Sequence, residues 1–228
     1  MKVVLIIMAL VAVALGLSTL TYQQRAKTAR ARADSLTFTD SVLKSRNSAL
    51  AAALDTQLAA ASRQKEGELN RLRSTYDQLV NDMQAEIAQG QIQITRLADR
   101  LSVSMVDRIL FPSGEAEVTT AGYRILHRVG DVLKTTEGKI IRVEGHTDNV
   151  GISERLQSTF PTNWELSNSR ATNVVRFLQD SVGIDPTRLQ AVGLSEYHPV
   201  ASNETAKGRS QNRRIEIALL PMETGREP

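Results

Sequence analysis

The sequence of 228 residues predicts an α+β domain with a mixed sheet at the C-terminus, preceded by a long helical stalk and an N-terminal apolar helix. Three observations support this prediction. Residues 3–20 carry no charge, residues 22–102 contain no proline and only two glycines, and β-branched runs with Pro and Gly begin after residue 102. We therefore predict a membrane anchor or signal segment at 1–21, a stalk at 22–102, the α+β domain at 103–221 and a flexible tail at 222–228.

The apolar segment has the length of a membrane-spanning helix. At 1.5 Å per residue, residues 3–20 reach about 27 Å, close to the hydrocarbon thickness of a bilayer. A basic start and an apolar core also suit a cleaved signal peptide, which is the alternative. The basic residues just after this segment would favour a cytoplasmic flank: Arg25, Lys27, Arg30 and Arg32. We predict an uncleaved anchor, and the function inferred below for the C-terminal domain requires export.

The segment at 22–102 has the composition and spacing of a long helix. It is rich in Ala, Leu, Gln, Arg and Glu, which favour helices. Leucines recur every seven residues at Leu36, Leu43 and Leu50. A second series alternates steps of three and four residues: Leu69, Leu72, Tyr76, Leu79 and Met83. After a slip near Ile87 the spacing resumes at Ile94, Leu97 and Leu101. This pattern predicts a coiled-coil stalk that forms a homodimer, with a simple helical spacer as the alternative.

The C-terminal domain alternates strands and helices in the order β-α-β-α-β-β. We predict its strands at 105–110, 139–145, 188–193 and 213–220. The first helix begins at Thr119 or Thr120, and the second begins with the capping-box spacing of residues 162–165, TNWE. Apolar residues at helical spacing line one face of each helix: Ile125, Leu126, Val129, Val132 and Leu133, then Ala171, Val174, Val175, Leu178 and Val182. This order predicts a mixed sheet with helices on one face.

Composition and motifs exclude several classes of function. The 28 basic and 25 acidic residues nearly balance, and no basic patch is interleaved with aromatics, so nucleic acid is not an expected partner. The absence of cysteine excludes disulfides and the usual zinc ribbons. Motifs for nucleophile elbows, phosphate loops and HExxH sites are missing, so we expect neither an enzyme nor a cofactor. His146 is expected to be packed and hydrogen-bonded at a strand end, and no metal site is predicted.

Asp148 and Arg170 are the candidate binding residues. Asp148 follows the second strand, with Thr147 and Asn149 beside it as hydrogen-bonding groups. Arg170 lies in the early turns of the second helix, at the edge of the apolar face and aimed towards the strand ends. The pair has two interpretations: a salt bridge that closes the sheet, or a receptor for a zwitterion in which Asp148 takes an ammonium and Arg170 grips a carboxylate. Spacing alone leaves both open.

Three segments resemble the OmpA-like peptidoglycan-binding domain, in its MotB-like version. They are EGHTDNVG at 144–151, NWELSNSRATNVVRFL at 163–178, and RLQAVGLSEYHPVASNETAKGRSQNRRIEI at 188–217. The resemblance covers residues 106–220 and implies the OmpA-like fold and non-catalytic binding of peptidoglycan. It also implies that Asp148 and Arg170 bind the diaminopimelate side chain of the stem peptide, which favours the zwitterion receptor.

The same resemblance implies supporting roles and a location. Asn163 and Leu166 would shape the pocket wall, and Arg213 would buttress the site from the last strand, with Arg214 on the opposite face. Glu144 is expected to be a solvated or cross-strand charge. The implied location is the bacterial cell envelope, with an anchor in the inner membrane and the C-terminal domain in the periplasm, or a periplasmic protein after signal cleavage.

The apolar segment separates this chain from a motor subunit. A MotB-like stator protein needs an acid within its membrane span to carry protons, whereas residues 3–20 contain none. We therefore predict a tether between membrane and wall. A stator or accessory subunit of an ion-driven envelope machine is the main competing hypothesis. A wall-modifying enzyme is a further hypothesis, for which the sequence offers no nucleophile or metal set. The last is a coiled-coil protein whose terminal domain binds no ligand.

Overall fold

The computed structural model describes residues 2–97 and 100–222, and the chain divides into two compact units, Met1–Gln64 and Lys65–Pro228. The tail predicted at 222–228 lies outside the described residues beyond Met222. Helix α1 (Lys2–Asp82) supplies the described part of the first unit, where the leucines of the first heptad series are exposed. By length and composition alone, the described residues contain one helix that could cross a membrane, α1.

The second unit begins within α1, and the last turns of this helix belong to the core of the domain. Leu72, Leu79 and Met83 are buried in the same apolar cluster as the strands, with Tyr76 packed against it. We predicted these residues for the seam of a dimer. That prediction is wrong for them, because a side chain buried within its own domain cannot present itself to a second helix.

The helical prediction is also wrong beyond Ala88. After the short helix α2 (Gln84–Ala88), Gly90 adopts φ +64° and the chain turns into strands β1 (Ile92–Leu97) and β2 (Arg100–Val106), which pair antiparallel. Ile94 and Leu101 fit the helical spacing, but each also fits the alternation of its own strand, with Ile92 in β1 and with Val103 and Met105 in β2. The β-branched residues of β1 and the buried face of β2 favour strands.

The remaining elements follow in the predicted order. They are α3 (Asp107–Leu110), α4 (Thr120–Lys134), β3 (Lys139–His146), α5 (Glu154–Gln157), α6 (Asn163–Phe177), β4 (Leu189–Gly193), α7 (Ala206–Asn212) and β5 (Arg214–Pro221). The sheet has the order β1-β2-β5-β3-β4, in which only β3 and β4 are parallel. The mixed α+β sheet is thus confirmed, with β1 added at one edge and α7 inserted before β5. The first predicted strand lies at 100–106 and not at 105–110, where a helical turn begins.

Helices α4 and α6 carry the caps and apolar faces that the sequence predicts. Thr119 caps α4 by accepting a hydrogen bond from a backbone N–H of the first turn, and Thr162 and Glu165 form the capping box of α6. Both apolar stripes are buried, except that Val175 is partly buried. A π-helical turn, Leu178–Val182, extends α6 and ends at Gly183, whose φ is +75°.

A close approach between α6 and β3 positions the site. A Cβ at Gly145 would lie 2.1 Å from the carbonyl oxygen of Ser167, so the helix can sit this close only over a glycine. The loop after β3 is fixed on its other side, where the N–H of Thr147 donates to the carbonyl of Ser195 at 2.9 Å. As a result, the first half of α6 faces the loop that carries Asp148.

Candidate functional site

A cleft of about 450 Å³ lies at the C-terminal end of β3. Its walls come from α3, the loop after β3, the first half of α6 and the segment joining α7 to β5. Six of the seven candidate residues line it: Thr147, Asp148, Asn163, Leu166, Arg170 and Arg213. The seventh, Asn149, is exposed and does not line the cleft. The structure therefore brings together residues that lie up to 66 positions apart in the sequence, 147 to 213.

Four charged side chains form one network in this cleft. Nη1 of Arg170 lies 3.2 Å from Oδ2 of Asp107, and Nε of Arg213 lies 3.5 Å from the same oxygen. Nη1 of Arg213 also lies 2.5 Å from Oδ2 of Asp148. Acids and arginines thus alternate along the network. Within the described residues Asp148 and Arg170 make no direct ion pair, so the salt-bridge interpretation does not hold for these two residues.

Arg170 is held on three sides and is buried. Its Nε donates to the carbonyl of Glu115 at 2.8 Å, its Nη1 pairs with Asp107, and its Cζ lies 4.9 Å from the centre of the Phe111 ring. Nη2 has no hydrogen bond to any described residue, although a guanidinium carries five N–H donors. Burial lowers the pKa of Arg170, and Asp107 opposes that decrease. Arginine keeps its charge in proteins, and Nη2 is the nitrogen of this guanidinium that is left for a ligand.

Asp148 is buried in the wall of the cleft, and its carboxylate can accept further hydrogen bonds. Its Oδ1 accepts the N–H of Val150 at 3.1 Å and its Oδ2 accepts from Arg213. Each carboxylate oxygen has a further lone pair. Asn163 supports this loop from behind: its Nδ2 lies 3.3 Å from the carbonyl of Asp148, 3.1 Å from that of Val150, and 2.8 Å from Oε2 of Glu196. Asn163 thus positions the loop, and it also lines the cleft.

Positive charge exceeds negative charge around the cleft. The charged lining residues are Asp107, Arg108, Asp148, Arg170, Arg209 and Arg213. Four guanidiniums therefore face two carboxylates, an excess of two positive charges. Such a cleft attracts a ligand that carries carboxylates.

The described residues contain one cluster with metal-ligand chemistry, and it lies away from the cleft. Ligand atoms of Glu144, His146 and Glu216 are within 4.8 Å of one another. Three guanidiniums lie within 4.0 Å of these carboxylates: Arg100, Arg142 and Arg214. They neutralise both acids, and their charge repels a cation. The cluster fits a cross-strand ion network, which is one of the two environments predicted for Glu144.

His146 is packed as predicted, at 3% exposed, but it is not hydrogen-bonded. Neither ring nitrogen has a partner among the described residues. Burial, with Arg214 and His198 nearby, lowers the pKa of His146 to about 3, so the ring is neutral near pH 7. Arg214 does not line the cleft, and it is buried.

Comparison with known proteins identifies the fold family. Residues 110–213 match the OmpA family. A solved structure described as the cell wall anchor of the T6SS from Pseudomonas aeruginosa is 34% identical with a TM-score of 0.57, and the match covers 63% of this chain and 97% of that chain. Residues 110–213 are an OmpA family domain. The resemblance found in three sequence segments is thereby confirmed, and we refer below to the C-terminal domain as the OmpA domain.

Curated relatives share the OmpA domain within longer proteins. Motility protein B of Bacillus subtilis (strain 168) is 34% identical over 154 residues, which are 68% of this chain and 57% of that protein. Peptidoglycan-binding protein ArfA of Mycobacterium bovis is 38% identical over 111 residues, 49% of this chain and 32% of ArfA. This chain therefore spans little more than half of the first relative and about a third of the second. Family membership confirms that the OmpA domain is a non-catalytic binding domain.

Among the cleft residues that sequence reasoning missed, Asp107 makes the most direct contact with the candidate residues of the OmpA domain. Asp107 binds both Arg170 and Arg213, yet it was part of the segment predicted as a first strand and had no assigned role. Burial raises the pKa of Asp107, although the two guanidiniums oppose that increase. An acid inside the run MVDRIL, whose other residues are apolar except for Arg108, was the available signal. Buried acids are rarely unpaired, so this position indicated an arginine partner.

Proposed function

We propose that the OmpA domain binds peptidoglycan non-catalytically and so tethers the cell envelope to the wall. The observation that carries this proposal is the buried Arg170, whose Nη2 has no partner among the described residues, in the same cleft as Asp148. The names of two similar proteins support it, since one is described as peptidoglycan-binding and the other as a cell wall anchor.

Diaminopimelate of the stem peptide is the group that we infer the cleft recognises. The free end of this side chain carries an ammonium and a carboxylate on the same carbon. The carboxylate would bind Nη2 of Arg170, whose other nitrogens are fixed by Glu115 and Asp107. The ammonium would bind the remaining lone pairs of Asp148. The carboxylate and the ammonium of the ligand thus each meet a protein group of opposite charge.

Arg213 has a supporting role in this arrangement. It bridges Asp107 and Asp148, and its side chain is 37% exposed, in contrast to the buried Arg170. It can share Asp148 with the ligand ammonium and contact the ligand carboxylate from the solvent side. Thr147 and Leu166 complete the walls on either side of these charges. Asn149, which is exposed, has no part in the proposed site.

We also propose the arrangement of the whole chain in the envelope. Residues 3–20 would anchor it in the inner membrane, with the OmpA domain in the periplasm; a periplasmic protein after signal cleavage is the alternative. The length and composition of α1 support the anchor. Leu36, Leu43 and Leu50 are exposed at heptad spacing and support a homodimeric stalk. The compact unit that starts at Lys65 supports an OmpA domain that begins earlier than residue 103.

Sedimentation with purified peptidoglycan sacculi tests the proposed function. The full-length protein in detergent should sediment with sacculi, and Asp148→Ala should remain in the supernatant. Asn149→Ala is the matched control, because it alters the neighbouring residue outside the cleft and should sediment like wild type. Circular dichroism checks that both variants are folded. Equal sedimentation of Asp148→Ala and wild type would contradict the proposed site.

A stator or accessory subunit of an ion-driven envelope machine is the second candidate. The similarity to Motility protein B favours it, since that match extends over 68% of this chain. The lack of any acid in residues 3–20 opposes it, because proton transfer across a bilayer requires an ionisable group. Deletion of the gene separates the two: lost attachment to the wall with normal motility supports the tether, and lost motility supports the stator.

A further inference from the structure

An exposed aromatic pair lies beside the loop that carries Asp148. The ring centres of Trp164 and Tyr197 are 5.6 Å apart and their planes are inclined by 30°. Trp164 is 47% exposed and Tyr197 is 64% exposed. Aromatic rings of this size contribute most to stability when they are buried. A tilted pair of rings left in solvent is therefore a candidate binding surface.

The pair is held by the same contacts that hold the cleft. Trp164 follows Asn163 in the first turn of α6, and Tyr197 follows Glu196 in the loop after β4. Nδ2 of Asn163 lies 2.8 Å from Oε2 of Glu196 and also contacts the carbonyls of the Asp148 loop. The two aromatic residues are thus each one residue away from a hydrogen bond that joins their segments to the wall of the cleft.

The loop that carries Tyr197 is also held by hydrogen bonds of Ser195, two residues earlier in the chain. The carbonyl of Ser195 accepts the N–H of Thr147 at 2.9 Å, and the N–H of Ser195 is 3.1 Å from Oγ of Ser167. Ser195 is buried and has a positive φ of 52°. Because Trp164 lies on α6 and the loop of Tyr197 is hydrogen-bonded to Thr147 and Ser167, the rings form a preorganised surface. Trp164 directly follows Asn163, which lines the cleft.

We propose that Trp164 and Tyr197 stack against a sugar ring of the glycan strand whose stem peptide occupies the cleft. This inference rests on the proposed function. The stem peptide is covalently joined to the glycan, so a peptide bound at Asp148 brings sugar to the rim. One face of a pyranose ring presents C–H groups with partial positive charge, and these suit the negative face of an aromatic ring. The sugar hydroxyls stay in water or bind polar neighbours such as Glu196.

Calorimetry of the full-length protein in detergent with two ligands tests this inference. One ligand is a disaccharide–peptide that contains diaminopimelate, and the other is the same peptide without the sugars. Wild type should bind the sugar-bearing ligand with a Kd roughly tenfold lower than that for the free peptide. The double variant Trp164→Ala, Tyr197→Ala should bind both ligands with the affinity that wild type has for the free peptide.

Three further variants distinguish a loss of sugar binding from a loss of peptide binding in the cleft. Asp148→Ala should lose both ligands, which reports on the cleft alone. Tyr197→Phe should retain the preference for sugar, since the ring remains. Tyr123→Ala removes a partly exposed aromatic residue that contacts Phe177 elsewhere and should behave as wild type.

Two results would overturn the inference while leaving the proposed function intact: equal binding of the two ligands by wild type, or an unchanged preference for sugar in the double variant. If the double variant also loses the free peptide, the pair supports the cleft and is not a sugar surface. If wild type binds neither ligand, the proposed function and this inference both fail.

Discussion

Asp107 and Arg170 form a buried ion pair across the cleft, with 3.2 Å between Oδ2 and Nη1 and side chains that are only 10% and 3% exposed. This contact fixes the guanidinium before any ligand arrives. Together with the carbonyl of Glu115 it occupies Nε and Nη1 and leaves Nη2 without a hydrogen bond to any described residue. The two acids of this site therefore have different roles. Asp107 orients Arg170, and Asp148 remains available to the ligand.

The first prediction concerns Asp107. Asp107→Asn should destabilise the OmpA domain by about 3 kcal/mol, because removal of one partner leaves a buried charge uncompensated. Urea unfolding of the full-length protein measures this change. Asp131→Asn is the control, since its carboxylate is exposed and pairs only with the exposed His127, and it should have little effect. Equal stability of wild type and Asp107→Asn would show that the pair contributes nothing to the fold.

The second prediction concerns the geometry of Arg170. Arg170→Lys should weaken binding of a diaminopimelate peptide by roughly tenfold or more, because an ammonium cannot bind Glu115, Asp107 and a ligand carboxylate with a planar fork. Titration calorimetry measures it. Arg176→Lys on the same helix lies outside the cleft and should bind like wild type. Wild-type affinity of Arg170→Lys would exclude recognition of the ligand carboxylate by a guanidinium that Glu115 and Asp107 hold in place.

The third prediction concerns pH. His146 is neutral in the fold, with a pKa lowered by burial to about 3, whereas in the unfolded chain it titrates near 6.5. Between these values the unfolded state binds more protons, so the folded state loses stability as pH falls from about 6.5 towards 3. The slope from this group reaches up to about 1.4 kcal/mol per pH unit.

Urea midpoints at pH 7, 6 and 5 measure this dependence before most carboxylates titrate. His146→Gln should flatten the decline, because the side chain no longer accepts a proton. His127→Gln, which alters an exposed histidine, should keep it. The assignment to His146 is excluded if the decline persists unchanged in His146→Gln.

The fourth prediction concerns the domain boundary. A fragment of residues 104–222 should not fold, because it lacks β1 and most of β2, the antiparallel neighbour that covers one edge of β5. A fragment of residues 65–222 keeps these strands and the buried residues of α1 and should fold. Amide dispersion in NMR spectra distinguishes the two. A well-dispersed spectrum for 104–222 would restore the boundary predicted near residue 102.

The sequence predicted those parts of the fold that depend on local signals. The capping box at Thr162 and Glu165 and the apolar stripes of α4 and α6 are properties of neighbouring residues, and the structure contains them. The hairpin of β1 and β2 was missed because Ile94, Leu97 and Leu101 have the spacing of a helix, while the alternation typical of a strand extends over only a few residues on each side of the turn. Only their burial within the domain decides between the two.

The candidate site was predictable only in part for the same reason. The family resemblance led to Asp148 and Arg170, and both residues line one cleft. The partner of Arg170 is Asp107, 63 positions earlier, and no local spacing reports such a contact. The dimer predicted from heptads stays a prediction for the leucines at 36, 43 and 50, while later members of the pattern are buried in the OmpA domain.

The most direct measurement is a calorimetric titration of the full-length protein with two stem peptides, one containing diaminopimelate and one containing lysine at the same position. Both offer an ammonium to Asp148, but only the first offers a carboxylate to Nη2 of Arg170. Binding of the diaminopimelate peptide with at least roughly tenfold weaker binding of the lysine peptide is the predicted result. Equal affinity for the two peptides, or no binding of either, would contradict recognition of a zwitterion by Asp148 and Arg170.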